Sequence, residues 1–364
     1  MQLASWFDLL KELCVTPGVS GFEEKVAQIV RSNLDGVVDH VEKDQMGNVY
    51  GVRNSSSRDG PNIMVTAHMD EVGLIVRHIE DSGFVRVQRL GGVPENVLLG
   101  QRVTVWGTRG PIIGLIGQKP AHIMSESEKR TVPPMQDLYV DVGTEDRKGT
   151  QELGVAAGTP ITYDRDFRQI GKEYLTSKAL DNRVGVTVML QAARKLSQMS
   201  LEATVHFVGT VQEEVGLRGA KVATSRVVPD VALVIDGLHA GGTPDVTDRE
   251  LPMRLGCGPA ITMAGSSQSG GFIGNKKLRE LIAMIAEAER IRLQYNLGIG
   301  MGVSDSAAIH LSGRGVATSD ILVLRRYSHS PIEMVSMRDI EDTIKLVTSV
   351  VPELDRKFVM SLRE

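Results

Sequence analysis

The chain has 364 residues, 41% hydrophobic and 24% charged, an ordinary globular balance and length enough for about two domains. Its net charge of −4 offers no basic field for nucleic acid or an anionic membrane, and its two cysteines, Cys14 and Cys257, exclude a disulfide framework or a cysteine zinc finger. No apolar run approaches the roughly 20 residues that span a bilayer, and the start MQLASWFDLLKELCV has no basic leader, so the cytosol is the expected compartment.

In chain order, apolar residues three to four apart predict helices over 3–14 and 22–35. Strands follow at 48–53 and 62–67, the second (NIMVTA) a nearly continuous apolar run of the kind buried in a sheet. From about 73 to 165 short β-like segments alternate with Gly and Pro turns: GLIVRHI, GFVRVQRL, QRVTVWG, GPIIGLIG, DLYVDVG. That rhythm predicts a small barrel or sandwich without helices of normal length. Helical periods return at 181–197, then a strand at 203–211, a helix at 219–225 and the buried strand VALVID at 231–236. A helix over 276–293, a turn-rich segment, a strand at 319–324 and a last helix over 337–361 complete the chain. Strands alternating with helices predict an α/β sheet. The fold class expected is a mixed-sheet α/β/α domain made of residues 1–70 plus 166–364, interrupted by an all-β insert at 71–165.

The polar residues at the predicted strand ends are unusual in kind. TAHMD puts His68 and Asp70 after one strand, and VQEE puts Glu213 and Glu214 after another. VIDG ends a third on Asp236, RRYSHSP brings His329 just after a fourth, and KALDNR sets Asp181 before a helix. Taken singly, each has an ordinary explanation: Asp181 suits a helix N-cap, and an acid pair suits a solvated surface. Together they deliver His and carboxylate groups to the carboxyl edge of one sheet, where open α/β folds bind ligands. Nitrogen and oxygen donors without thiolates suit divalent zinc first, with cobalt or manganese as alternatives. Two His and three or four acids exceed the needs of one ion and suit two that share a carboxylate. Asp70, two residues beyond His68, is placed to fix its tautomer. Among the other histidines, His206, inside a strand, and His310, in SAAIHL, read as structural, and His122 is a loop residue of the insert able to reach a site.

The set HMDEVG (68–73), ALDNR (179–183), QEEVGLRGA (212–220), VID (234–236) and RRYSHSPIE (325–333) closely resembles the tetrahedral, or deblocking, aminopeptidases. These dinuclear metallopeptidases are also labelled cellulase M or endoglucanase M-like. The resemblance spans nearly the whole chain and implies a metallopeptidase domain with an inserted barrel or PDZ-like domain. It implies that His68 and Asp236 bind one ion, that Glu214 and His329 bind the other, and that Asp181 bridges them. Glu213 would be the general base, Asp70 would orient His68, and the peptide after Asp181 would be a non-proline cis bond. Short peptides would be the substrates, and dimers formed through the insert would build a tetrahedral homododecamer. Three departures bear on substrate preference: the loop AGGTPDV carries Gly242 where the family often has an acid, VSDSAAIH replaces a GTDAGAIH-like segment while keeping Asp305, and MAGSSQSGGFIGNKK (263–277) is richer in Gly and Ser than the family.

Other classes stay open at this level. One keeps the metals but hydrolyses another amide, such as an N-acyl amino acid or an acylated sugar. Another is an inactive assembly protein with a vestigial site. Glycoside hydrolysis is weaker, because it calls for two free carboxylates. Nucleotide binding is weaker too, because GIGMGV (298–303) lacks the GxGxxG spacing.

Overall fold

Residues 63–67 are buried without a break because the strand Asn62–His68 runs through the middle of a sheet covered on both faces. A computed structural model describes residues 5–267, 270–299 and 304–363; residues 300–303 of the GIGMGV stretch lie outside them. Along the sheet the strands run His40–Lys43, Val49–Arg53, Thr204–Thr210, Asn62–His68, Val231–His239, Ala317–Arg326, Glu333–Ser336, Tyr174–Ser177 and Arg168–Ile170. The four strands 204–210, 62–68, 231–239 and 317–326 are consecutive neighbours and mutually parallel. Their carboxyl ends therefore share one edge.

Helices Trp6–Val15, Glu24–Leu34, Leu180–Leu196, Lys276–Ala288 and Met337–Val350 contribute to the core on one face. Arg218–Val227 covers part of the other face with Ala220, Ala223 and Val227. Helix ends follow local chemistry: Ser5 and Ser336 accept the amides of Asp8 and Asp339 as N-caps.

The expected β insert is a closed six-stranded barrel whose strands fall between Gly73 and Tyr163. It has its own core, built around Val85, Val103, Val105, Val140 and Ile161. One six-residue helix, Arg147–Glu152, and short 3-10 turns are its helical elements. His122 is exposed in one of those turns.

Three expectations are corrected. The helix expected over 276–293 stops at Ala288, because Arg290 turns left-handed (φ +58°) and the Ile291 amide bonds back to Ala286 O. That is a Schellman end with a buried apolar Ile291 just beyond it, so the apolar spacing continued past the helix. The helix expected over 337–361 breaks after Val350, where Pro352 imposes a short 3-10 turn, and Asp355 then caps a separate helix Arg356–Ser361. The Gly- and Ser-rich segments near 260–299 hold strands Ala260–Ser267, Gly270–Ile273 and Gln294–Ile299, which small residues without clear alternation concealed.

Candidate metal centre

Each candidate residue reaches the shared sheet edge by a distinct local device. His68 is the last residue of its strand, and Asp236 sits six residues into strand 231–239. Alternation along a strand would send Glu213 and Glu214 to opposite faces. The chain avoids this by ending strand 204–210 and placing Gln212 in the left-handed region (φ +55°), where a non-glycine residue is rarely found. The turn therefore comes before the acids, at Gln212, rather than only in the loop after them. Asp70 then holds the pair from behind: its two carboxylate oxygens accept the amides of Glu213 and Glu214 at 3.0 and 3.1 Å, and Ser20 Oγ donates to it at 2.6 Å.

Asp181 does not cap its helix. Asp181 and Asn182 have non-helical backbone, the bond between them is cis, and Asn182 Oδ1 accepts the amide of Gly185 as the working cap. The Asp181 carboxylate is left out of the helix cap and lies among the site's other donors. His329 is also left-handed (φ +58°), and its Nδ1 faces the carbonyl of Gly92 at 3.0 Å. Gly92 comes from the insert, and a Cβ there would lie 2.9 Å from that nitrogen. Donation from Nδ1 turns Nε2 toward the carboxylates. Left-handed residues at Ala179, Gln212, Tyr327 and His329, all within two residues of a proposed ligand or base, are the kind of backbone strain that clusters at functional sites.

The side chains converge closely. His68 Nε2 is 3.3 Å from Asp181 Oδ1 and 3.4 Å from Asp236 Oδ1. His329 Nε2 is 3.2 Å from Asp181 Oδ2 and 3.3 Å from Glu214 Oε1. Asp181 thus offers one oxygen to each histidine. A tetrahedral ion with ligand bonds of about 2.0–2.1 Å has ligand–ligand edges of about 3.3 Å, so both triplets have the spacing of a coordination sphere. His68, Asp181 and Asp236 form one potential ion site, and Asp181, Glu214 and His329 form the other. Glu213 also lies close enough to join His68 and Glu214. The donor chemistry and spacing fit two divalent ions.

The electrostatics agree. Burial acts to lower the His329 pKa, but Glu214 and Asp181 outweigh it and lift it to about 11. His68 is likewise buried, and Asp236 with its neighbours raises it well above the usual imidazole range. The clustered carboxylates thus favour positive charge at both imidazoles. Burial raises the Glu213 carboxyl well above the usual range, with His68 opposing and Glu214 adding to the rise.

One expected contact is looser than foreseen. His68 Nδ1 stands 3.4 Å from Asp70 Oδ1 and makes no hydrogen bond, so the shorter bonds of Asp70 go to the acid pair. Three positioning groups escaped the sequence reading although they lie inside the quoted motifs. Glu333 accepts the amides of Asp181 at 2.9 Å and His329 at 2.8 Å. The buried Arg325 contacts Asp181 Oδ2 and donates to Ser328 Oγ at 2.9 Å. Glu71 pairs with Lys178 and Arg183 beneath the site. Their signal was position: Glu71 follows Asp70, and Glu333 lies four residues after His329. Glu333→Gln is expected to weaken metal binding about 10- to 100-fold with the fold intact, as loss of a group that orients ligands does. Competition with a metallochromic chelator measures it, and unchanged affinity would reduce Glu333 to a structural role.

Comparison with known proteins now bears on this geometry. A family model described as M42 glutamyl aminopeptidase matches residues 47–346. A lysyl aminopeptidase of Pyrococcus furiosus is 32% identical over 354 residues, covering 97% of this chain and 98% of that protein. Among solved structures, an aminopeptidase from the archaeon Desulfurococcus kamchatkensis superposes with a TM-score of 0.94 at 39% identity, covering 99% of this chain and 98% of that one. A TET peptidase of Pyrococcus horikoshii, described as able to assemble into a tetrahedron or a large octahedral shell, superposes at 0.84 with 31% identity, covering 96% of this chain and 100% of that one. The match over residues 47–346 spans the barrel insert and the strands that carry the donor triplets, and the chain belongs to the M42 glutamyl aminopeptidase family, whose members are metal-dependent aminopeptidases.

Proposed function

We propose that His68, Asp181, Glu214, Asp236 and His329 hold two divalent ions, zinc first with cobalt or manganese as alternatives, and that Glu213 is the general base in removal of N-terminal residues from short peptides. The observation that carries this is Asp181, which presents separate oxygens to two histidines with coordination spacing on both sides. When bound, the ions supply Lewis acidity toward the scissile carbonyl and lower the pKa of an attacking water. Glu213 belongs to neither triplet that shares Asp181. Its carboxylate takes the proton of the attacking water and returns it to the leaving amine nitrogen. Asp70 fixes where that carboxylate stands by holding its backbone amide.

We further propose a division of labour. Residues 1–70 plus 166–364 act as the catalytic unit and 71–165 as the association unit, giving a tetrahedral homododecamer built from dimers in the cytosol. Exposed Ile113 and Leu115 on the barrel strand Gly110–Ile116 favour that use of the insert. No helix among the described residues is long and apolar enough to cross a membrane.

Chelation is expected to abolish release of N-terminal residues from short peptides with free amino termini, and restored zinc, cobalt or manganese to recover it. Acetylated peptides should resist throughout. Turnover confined to acetylated or sugar-linked amides would replace the aminopeptidase reading with a deacylase.

A further inference from the structure

A cavity of about 180 Å³ runs from the metal-site carboxylates into a part of the sheet with no role in the chemistry. Its far end is built around Asp320, on strand 317–326, which is only 4% exposed. The register fixes its relation to the metal site. Asp236 pairs with Leu322 and Val234 with Asp320 across parallel strands, so Asp236, Leu322 and Asp320 share one face. Strand rise and spacing put the Asp236 and Asp320 Cα atoms about 8 Å apart.

Among the described residues, the side-chain partners of the Asp320 carboxylate are hydroxyls. Ser304 Oγ donates to Oδ1 at 3.0 Å, and Ser306 and Thr262 also hydrogen-bond the carboxylate. No ion pair to Asp320 occurs among the described residues. A carboxylate taken out of water without a cation is costly, and burial lifts this one to about 6. Yet it faces a cavity with room for a side chain, since a single water needs only about 10–15 Å³. Leu322, beside Asp236 in register, and Phe272 give the cavity an apolar wall, and its one lining guanidinium among the described residues, Arg325, is paired with Asp181 and Glu333. A cavity with an apolar wall at Leu322 and Phe272 and a buried acid beyond it matches a long methylene stem with a cationic tip.

We infer that this cavity takes the side chain of the substrate's N-terminal residue, and that Asp320 selects a cationic one, lysine or arginine, over apolar or acidic ones. The inference rests on the aminopeptidase reading above. With the scissile carbonyl at the metal ligands, a long side chain lies along Leu322 and its cation meets Asp320. A glutamyl side chain would set one carboxylate against another, and a leucyl one would leave Asp320 without a cation.

The test uses the full-length, metal-loaded protein with 4-nitroanilides of lysine, arginine, leucine and glutamate. Expected are kcat/KM values for lysine and arginine about 10- to 100-fold above leucine, with glutamate lowest. Asp320→Asn keeps the side-chain volume and should lower lysine and arginine turnover by a similar factor, leaving leucine within about threefold. Asp320→Leu should raise leucine above its wild-type value. Retained leucine turnover reports a folded, loaded site in each variant. A wild-type preference for leucine or glutamate overturns the inference while leaving the aminopeptidase standing, as does an equal loss on all four substrates in Asp320→Asn. No wild-type turnover of any of them overturns the aminopeptidase reading itself, and this inference with it.

Discussion

Glu213→Gln is expected to cut kcat for free-N-terminus peptides about 10²- to 10⁴-fold, with both ions retained. The substitution keeps the shape of the side chain and removes only its ability to take a proton. The anchor of the segment survives, because Asp70 grips the backbone amides of residues 213 and 214 rather than their side chains. KM should change little, since the lost interaction belongs to the transition state. Turnover read beside metal content decides the role. Lost activity with full metal makes Glu213 the base. Lost activity with lost metal makes it a ligand, which its place within reach of His68 and Glu214 permits. Near-normal turnover with metal bound would assign proton transfer elsewhere.

The fold and the candidate ligand set were legible for different reasons. The central strands announced themselves because burial on both faces demands unbroken apolar runs, as in residues 63–67 and VALVID. The candidate ligands were legible as a set, because His and acid residues recurred at the ends of strands that the structure places side by side. What the sequence hid was whatever depends on pairing across long separations. Glu333 reads as an ordinary acid until its bond to the Asp181 amide, 152 residues away, is seen. Asp320 reads as one polar residue inside SDILVL until strands 260–267 and 317–326 bring Thr262 and the cavity to it. The acid pair was singled out early, but the device that turns it inward, a left-handed Gln212 held by no glycine, has no local signature.

Glu71→Ala is expected to be the most destabilising single change at this edge, at about 3–5 kcal/mol, the usual cost of stripping one partner from a buried ion pair. Glu71 is 1% exposed and ties three segments together. Its carboxylate accepts from Lys178 Nζ at 2.8 Å, from Arg183 Nη2 at 3.2 Å and from the Gly18 amide at 3.0 Å. The next residue back is Asp70, and the segment from Lys178 to Arg183 carries Asp181, so one side chain clamps both halves of the candidate metal site from below. Removing it strands two buried cations of different kinds. Burial already depresses the Lys178 pKa, with Glu71 opposing, so without Glu71 the lysine escapes much of its cost by shedding a proton. A guanidinium has no such escape, and Arg183, fully buried, accounts for most of the loss. Glu71→Ala combined with Lys178→Met should therefore recover only a minor share of the stability, whereas Glu71→Gln, which keeps an acceptor, should fall between wild type and Glu71→Ala. Denaturant unfolding of the metal-free protein at fixed concentration measures all three. A Glu71→Ala loss below about 1 kcal/mol would mean that water or a rearranged backbone satisfies Arg183, and the clamp would then not be what holds Asp70 and Asp181 in register.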